Sequence, residues 1–376
     1  MILAKARVTN RQIVKSREID IDQALVAVYS ELKRHMVMSG TIEFRKHIRE
    51  QIEYRFDPLT NAQVRINPAR ARRIKQAAAS VNELAQLIKE SRQTCPFCPE
   101  RVEKDTPCFP KDISEEGRIR VGESLIFPNL NPFGECHAVG ILSKEHYLNL
   151  DQFSPEMIEN NLLAASHYIL STHAQNSEAR YPVYMWNYMP PSAGSIIHPH
   201  VQILLEREPA PQLSKLIERS LDYYEKEGRN YWADLVEEEK RLGERFIIGD
   251  NILSVIASFA PCGFNEVCFI FGGISSLTQL DERRMETFSV YLSKVLQAYR
   301  NMGVGSFNLA TLSGAVDQNQ AQFYWMSAKL ISRPYPRGIY TNDSGPMERM
   351  QGVWVVDTLP EELTKQIKPA LDSKSP

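Results

Sequence analysis

Apolar positions along this chain follow two periods, and the switches between them outline its elements. Over 20–53 they recur at three and four, as in Ala24, Val28, Leu32 and Met36, which predicts a mostly helical opening. The character changes over 54–73. An Asp57-Pro58 turn leads into a short alternating strand and then a basic cluster of Arg65, Arg70, Arg72, Arg73 and Lys75. The Ala/Lys-rich stretch 74–92 predicts helix, and CPFCPERVEKDTPCFP after it reads as a loop punctuated by proline and cysteine. Strands are predicted at 118–128, 137–143, 181–187 and 198–205, around one long helix at 155–174. A helical block follows over 211–243. The earlier order then returns: strands in 245–273, a helix at 280–302, strands in 305–332. A strand–helix–strand pattern met twice predicts a duplication. The expected division is a helical N-terminal extension over 1–53, one half over 54–210, a second over 211–350 and a loose tail over 351–376.

Composition narrows the function. Lysine plus arginine is 44 and aspartate plus glutamate 46, so the net charge is 44 − 46 = −2 over 376 residues. That balance argues against a generic binder of nucleic acid or anionic membrane. No stretch approaches the roughly 18 consecutive apolar residues of a membrane helix. The opening MILAKARVTNRQ lacks the apolar run of a signal peptide, so a cytoplasmic protein is expected. Six cysteines in a chain this long do not make a disulfide scaffold. There is no G-x-x-x-x-G-K-[ST] phosphate loop, no G-x-S-x-G elbow, and Gly303-Val-Gly305 continues as Ser-Phe-Asn rather than as a dinucleotide fingerprint.

The chemistry concentrates in Gly194-Ser-Ile-Ile-His-Pro-His-Val-Gln202. Alternate side chains of a strand share one face, so His198, His200 and Gln202 point together while Pro199 and Val201 point away. Pro199 cannot donate to a ladder, which places the motif at a strand edge or end. An arbitrary His-x-His is most often a pair of half-exposed edge histidines. The functional alternative makes one histidine a ligand and the other a nucleophile, a neutral imidazole with one nitrogen held as donor and the other lone pair free. Attack on phosphorus would give a labile phosphoramidate.

Cys95-Pro-Phe-Cys98 has the spacing that presents two thiolates to one metal, typically zinc, against the plainer reading of a reduced surface pair. With one such pair in the chain, the remaining ligands must come from afar. His146 and His198 are favoured, and Cys136-His137 is a competing pair. Two thiolates and two imidazoles would close a neutral, structural site. Cys108, Cys262 and Cys268 read as ordinary buried or partly buried thiols. The basic cluster at 65–75 is either a solvated helix start or a grip on diphosphate oxygens, to which the arginine fork is suited.

These motifs in this order resemble the galactose-1-phosphate uridylyltransferase family, a branch of the histidine-triad superfamily. The carriers are Arg55-Phe-Asp-Pro-Leu-Thr60, Asn67-Pro-Ala-Arg-Ala-Arg-Arg73, the CPFCP knuckle, Phe127-Pro-Asn129, Trp186-Asn187, Gly194-Ser195 and His198-Pro-His200-Val-Gln202. They span about 54 to 206; from 245 to about 335 only the architecture fits. The resemblance implies an α+β fold of two histidine-triad-like halves, antiparallel sheets flanked by helices, in a homodimer. It implies structural zinc on Cys95, Cys98, His146 and His198. It makes His200 the nucleophile and Gln202 the holder of the phosphoryl oxygens. Gly194 and Ser195 would touch phosphate, Asn129 and Asn187 would seat the nucleotide, and Arg70 and Arg73 would hold the diphosphate.

The implied reaction is ping-pong. A nucleotide sugar loads UMP onto His200 and releases a sugar 1-phosphate, and a second sugar 1-phosphate takes the nucleotidyl group. Departures from the family are Val201 for glycine, Leu130 for an acidic residue, and Ser327 and Lys329 where a second metal site would place histidines; that metal is expected to be absent. An adenylyltransferase or nucleotide-sugar phosphorylase, a histidine-triad hydrolase and a non-catalytic nucleotide-binding protein remain alternatives.

Overall fold

The structure, a computed structural model, describes residues 37–43, 49–72, 83–337 and 340–372. Its strands in chain order are β1 Val37–Glu43, β2 Arg49–Phe56, β3 Gln63–Ile66, β4 Ile119–Val121, β5 Ser124–Pro128, β6 Cys136–Ile141, β7 Tyr181–Tyr188, β8 His200–Glu206, β9 Phe246–Gly249, β10 Leu253–Ala257, β11 Phe264–Phe271, β12 Ser306–Leu312, β13 Ser327–Arg333 and β14 Trp354–Val356. Its helices are α1 Glu83–Arg92, α2 Val102–Asp105, α3 Pro155–Gln175, α4 Pro211–Glu227, α5 Tyr231–Leu242, α6 Glu282–Asn301, α7 Pro346–Gln351 and α8 Pro360–Asp372.

The long helices start where their sequence provides a cap. The Ser154 hydroxyl accepts from the Met157 N–H (3.2 Å) ahead of Pro155, which suits a first helical position. The Asp281 carboxylate does the same for the Arg284 N–H (2.8 Å). Ile158, Leu162, Ala165, Ile169 and Thr172 form the buried stripe of α3, and Met285, Phe288, Leu292, Leu296 and Tyr299 that of α6. Both stripes enter one core with Ile126, Ala138, Val201 and Ile203 of the first half and Val255, Phe269, Phe307 and Leu330 of the second.

The two halves form a single ten-stranded antiparallel sheet, in the order β4-β5-β6-β8-β7-β12-β13-β11-β10-β9. The order is a palindrome about the β7–β12 pair: β4-β5-β6-β8-β7 mirrors β9-β10-β11-β13-β12. The expected duplication is therefore visible in topology. Each half also carries a short 3-10 turn with a reciprocated cap just before its long helix, Asn149 with Gln152 and Ser276 with Gln279.

A second sheet, β1-β2-β3-β14, gathers chain from both ends, with β14 parallel to β3. Two expectations change here. The helix expected over 20–53 gives way to strands at Val37–Glu43 and Arg49–Phe56, paired antiparallel; residues 1–36 lie outside the described residues. Met38, Thr41, Ile42 and Ile52 fit a strand as well as a helix, and tertiary pairing decides. Of the tail expected to be loose over 351–376, Trp354–Val356 is β14 and Pro360–Asp372 is α8, while 373–376 lie outside the described residues. Leu363, Thr364, Ile367 and Leu371 are all buried, a stripe that the polar residues between them obscure in a composition count.

Arg55 ties the small sheet to the rest. Its guanidinium pairs both oxygens of Glu361 (3.0 Å each) and also Glu53 (2.8 Å), and lies over the Phe259 ring. Arg245, fully buried, reaches the same Glu361 oxygen (2.9 Å) and Glu239 (3.0 Å). Asp57 caps its own turn through Thr60 N–H and hydroxyl, each at 2.7 Å. Two residues of the family-like opening motif thus have structural duties. Among the described residues no helix is long and apolar enough to cross a membrane.

Candidate functional site

Strand β8 lies between β6 and β7 and begins at His200. Pro199 just precedes it, and its carbonyl accepts from Leu142 N–H (3.1 Å). The motif therefore sits at the end of an interior strand, where a residue without an N–H costs nothing. Opposite His200 lies Ile141, and opposite Gln202 lie Val139 on β6 and Met185 on β7. Val201 points to the opposite face, into the core with Ala138 and Ile126. Substitution of glycine by valine there leaves the chemical face untouched.

Beneath this region Asn161 of α3 fixes three strands at once. Its amide donates to Ser124 Oγ (2.9 Å) and the Ile141 carbonyl (3.2 Å), and its oxygen accepts from Tyr184 OH (2.8 Å). A fully buried asparagine with every bond made locks the register of β5, β6 and β7.

Cys95, Cys98, His146 and His198 are all buried, and their ligand atoms lie within 4.8 Å of one another. It is the one such group found among the described residues. His198 Nδ1 is 3.9 Å from Cys95 Sγ and 3.8 Å from Cys98 Sγ, and His146 Nδ1 is 3.4 Å from Cys98 Sγ. Metal–sulfur and metal–nitrogen bonds of ordinary length give a tetrahedron with edges of roughly 3.3–3.8 Å, so small side-chain movements bring the set onto one tetrahedral ion. The outer nitrogens are occupied in the way that metal-binding histidines require. His198 Nε2 donates to the Ser143 carbonyl (2.9 Å), and His146 Nε2 meets Ser91 Oγ (2.9 Å). Electrostatics agree. Burial, with Cys95 adding to it, pushes the Cys98 thiol up to about 12, so two thiolates here require a cation. Burial pulls His198 down to about 4, keeping it neutral as a ligand must be. Cys136-His137, the competing pair, lies on β6 outside this group.

His200 is buried, and its Nδ1 donates to the His198 carbonyl at 2.8 Å. That bond fixes the tautomer and leaves the Nε2 lone pair free. Burial moves its pKa below the ordinary histidine value, the backbone bond opposing, so the ring is neutral near pH 7. Phe97 of the knuckle packs edge-on to both histidines, 5.2 Å from the His200 ring and 6.2 Å from His198. The metal-type cluster and the free imidazole are thus one packed unit, coupled through His198, which gives one ring to the cluster and its carbonyl to His200.

Gln202 Oε1 meets His137 Nε2 at 2.9 Å, and Asn129 Nδ2 lies 3.1 Å from the same nitrogen. His137, weighed from the sequence only as half of a competing ligand pair with Cys136, is instead a neighbour of Gln202. Its position on the face of Val139 and Ile141, two strand steps apart, was the available signal. Asn187 Oδ1 accepts from Asn308 Nδ2 (2.6 Å), and Asn308 Oδ1 from Arg333 Nη1 (2.7 Å), which Asp343 clamps on two oxygens at 2.7 and 2.8 Å. Gly194 runs so close to Asn187 that a Cβ would stand 2.6 Å from its carbonyl oxygen. Its neighbours Met189 and Ala193 hold positive φ of 71° and 69°, so the loop into the histidine motif is a strained, tightly packed bend. Ser195, just past it, is exposed.

Arg70 is exposed on the 3-10 turn after β3, and among the described residues no hydrogen bond links it to His200 or Gln202. Arg73 lies outside the described residues. Cys108, expected to be at least partly buried, is exposed, with the Arg118 guanidinium donating to its sulfur (3.0 Å). Leu130 is exposed as well.

No protein-family model matches the chain. An uncharacterized protein of Archaeoglobus fulgidus is 27% identical over 321 residues, 84% of this chain and 92% of that one. Among solved structures, an ADP-glucose phosphorylase from Arabidopsis thaliana with bound ADP-glucose superposes with a TM-score of 0.66 at 20% identity, covering 84% of this chain and 98% of the other. A uridylyltransferase superposes at 0.62 and 20%, covering 85% and 98%. The chain therefore shares the α+β fold of these two solved structures.

Proposed function

We propose that this protein is a nucleotidyltransferase that moves a nucleoside monophosphate between phosphorylated sugars through His200. The observation that carries the reading is the Nδ1 bond of His200 to the His198 carbonyl, which leaves Nε2 as the lone-pair nitrogen, without a hydrogen bond among the described residues. Nε2 attacks the α-phosphorus of a nucleotide sugar. The N–P bond forms, the P–O bond to the sugar phosphate breaks, and sugar 1-phosphate leaves. A phosphate oxygen of the acceptor, a second sugar 1-phosphate, then attacks phosphorus and breaks the N–P bond. Gln202 would hold the phosphoryl oxygens, and Gly194 and Ser195 would line the phosphate. Asn129 and Asn187 would seat the nucleotide, with Arg70 and Arg73 contributing from the segment after β3. Charge developing on phosphorus is met by fixed donors.

Zinc is the ion that two thiolates and two imidazoles at tetrahedral spacing suit best. Four protein ligands leave no open position, so its contribution is to hold the knuckle and the strand end that carries His200.

UMP is the group that the sequence resemblance implies; the fold likeness to an ADP-glucose-binding phosphorylase favours AMP as the second reading. Intact-protein mass spectrometry after separate mixing with UDP-glucose, UDP-galactose, ADP-glucose and GDP-mannose decides. The expected result is a mass gain of one nucleoside monophosphate with one donor, absent in His200→Asn with metal content retained. An adduct that survives His200→Asn would overturn the assignment. Free monophosphate without an adduct would establish a hydrolase instead.

A further inference from the structure

The polar groups beside Gln202 form a short chain whose direction is set at its far end. The main-chain N–H of Phe133 lies 3.3 Å from His137 Nδ1. A main-chain N–H can only donate, so Nδ1 accepts and the ring proton sits on Nε2. That proton faces Gln202 Oε1 at 2.9 Å. Asn129 Nδ2 also approaches Nε2, at 3.1 Å, but its own oxygen is taken by the Asn131 N–H (2.9 Å), so it brings a donor to a nitrogen that already carries one. Only one of the two ring nitrogens can accept, and Phe133 has fixed which. With its oxygen engaged by His137, Gln202 has one rotamer of its amide left, with the NH2 group turned away from His137 and free to donate.

We propose that His137 is the positioning residue of the candidate site. Held in one tautomer by the Phe133 main chain, it orients Gln202 so that the amide NH2, not the carbonyl, meets the phosphoryl group on His200. The inference rests on the nucleotidyl-transfer reading. It adds the reason a glutamine, which could equally present an oxygen that repels phosphate, presents a donor. The chemistry requires this. A phosphoryl group passing to and from nitrogen carries negative charge on its oxygens throughout, and a reversed amide would oppose it. The Phe133 ring packs against His137, centroids 4.4 Å apart, and confines the imidazole from the solvent side. Burial moves the His137 pKa below the ordinary histidine value, the Gln202 bond opposing, so the single-proton form that the chain needs is the one present near neutral pH.

Two measurements on the full-length, metal-loaded protein test this. The first is the nitrogen spectrum of the His137 ring in 15N-histidine-labelled protein, assigned by comparison with His137→Gln. The expected tautomer is Nε2–H; an Nδ1–H signal would overturn the proposal, whatever the protein does to nucleotides. The second is the rate of nucleotidyl adduct formation, by rapid-quench mass spectrometry with the donor that labels wild type. His137→Leu should slow it by roughly tenfold or more with metal content unchanged, less than the roughly 10²–10³-fold of deleting a fixed donor, because the donor stays and only its orientation is lost. His137→Gln, whose amide N–H can stand where Nε2–H stood, should recover most of that loss. Equal rates for wild type and His137→Leu, or no recovery in His137→Gln, would refute the positioning role. Failure of wild type to label with any donor is a different outcome: it removes the transferase reading, while the spectrum still reports the tautomer.

Discussion

The two halves of the sheet place different residues at matching register. In the first, Ile141 faces His200 and Val139 faces Gln202; in the second, Ile270 faces Ser327 and Cys268 faces Lys329. Strand order, long helix and capped 3-10 turn are shared. What covers the face differs. The first half is roofed by the knuckle, with Cys95, Phe97 and Cys98 on Leu125, Phe127, Val139 and Ile141. The second is roofed by α4 and α5, with Trp232, Leu235 and Val236 over Ile256, Cys268 and Ile270. The Ser327 hydroxyl is buried with no hydrogen-bond partner among the described residues, and Lys329 is neutralised by the buried carboxylate of Glu266 at 2.9 Å. One scaffold therefore carries two outcomes. A small metal-type roof lies over a buried imidazole, whereas a helical roof lies over a buried serine and a half-buried lysine paired to a buried carboxylate.

The roofs should fail differently, and the largest effect belongs to the knuckle. Cys98→Ser removes a ligand whose binding free energy is folding free energy, so the loss should be on the order of 5 kcal/mol or more. Metal content should fall with it, and chelator treatment of wild type should reproduce the destabilisation. Stability unchanged in Cys98→Ser, measured by denaturant unfolding beside metal analysis, would mean that the knuckle is not what holds the first half's face.

In the second half the weak point is a charge. Lys329→Met would strand the Glu266 carboxylate in the core, a loss of roughly 3–5 kcal/mol. Adding Glu266→Leu removes the stranded charge and should restore part of the loss, the remainder reflecting the Cys262 N–H that loses its acceptor (2.6 Å). The register-matched change in the first half, Gln202→Met, removes only a neutral bond to His137 and should cost about 1 kcal/mol in stability. Chemical denaturation of the three variants reads the contrast directly. A Lys329→Met protein as stable as Gln202→Met would show that the pair contributes nothing net.

How much of this the sequence disclosed follows from where the information is local. The long helices at 155–175 and 282–301 and the strands around them were legible because each has a cap, a stripe and a period of its own. The metal-type group was legible because Cys95-x-x-Cys98 is a local pattern and His198 shares its motif with His200. What lay hidden is decided by partners distant in the chain. Strands 37–43 and 49–56 exist because they pair with each other and, through β3, with β14, some 300 residues on. Helix α8 is ordered by burial against α6, β9 and β10. Arg55 stands in the family-like opening motif, yet its partner Glu361 lies 306 residues away. His137 read as half of a competing ligand pair with Cys136 because its actual partner, Gln202, lies across a strand.

That Arg55–Glu361–Arg245 cluster offers a pH test on the seam between the sheets. Burial alone would raise the Glu361 carboxyl; the hydrogen bond and charge of Arg55, with Arg245, outweigh it and hold it at about 2. A carboxyl with a folded pKa below its unfolded one stabilises fully above the unfolded value and loses that contribution as pH falls through the folded one. Glu361→Gln should therefore cost about 3 kcal/mol at pH 7, and the difference from wild type should shrink progressively between about pH 4.5 and 2. A difference that stays constant with pH in urea unfolding would assign the cost to packing and not to the ion pairs.

The smallest contrast returns to the duplicated 3-10 turns. In the first, Gln152 Oε1 accepts one main-chain N–H, that of the half-buried Asn149 (2.7 Å). In the second, Gln279 Oε1 accepts from Ser275 N–H (2.7 Å), Ser276 N–H (3.1 Å) and the Ser275 hydroxyl (3.3 Å), and both serines are fully buried. Water can replace the lost acceptor at Asn149 but has no path to Ser275 and Ser276. Gln152→Ala should therefore cost about 0.5 kcal/mol, an ordinary cap loss, and Gln279→Ala about 1–3 kcal/mol, the penalty of stranding buried donors. Hydrogen exchange sharpens the test. The Ser275 and Ser276 amides should lose protection in Gln279→Ala, while Asn149 changes little in Gln152→Ala. Equal costs for the two would mean that solvent reaches the second turn as readily as the first, and that the helical roof over this half is less tight than its buried residues imply.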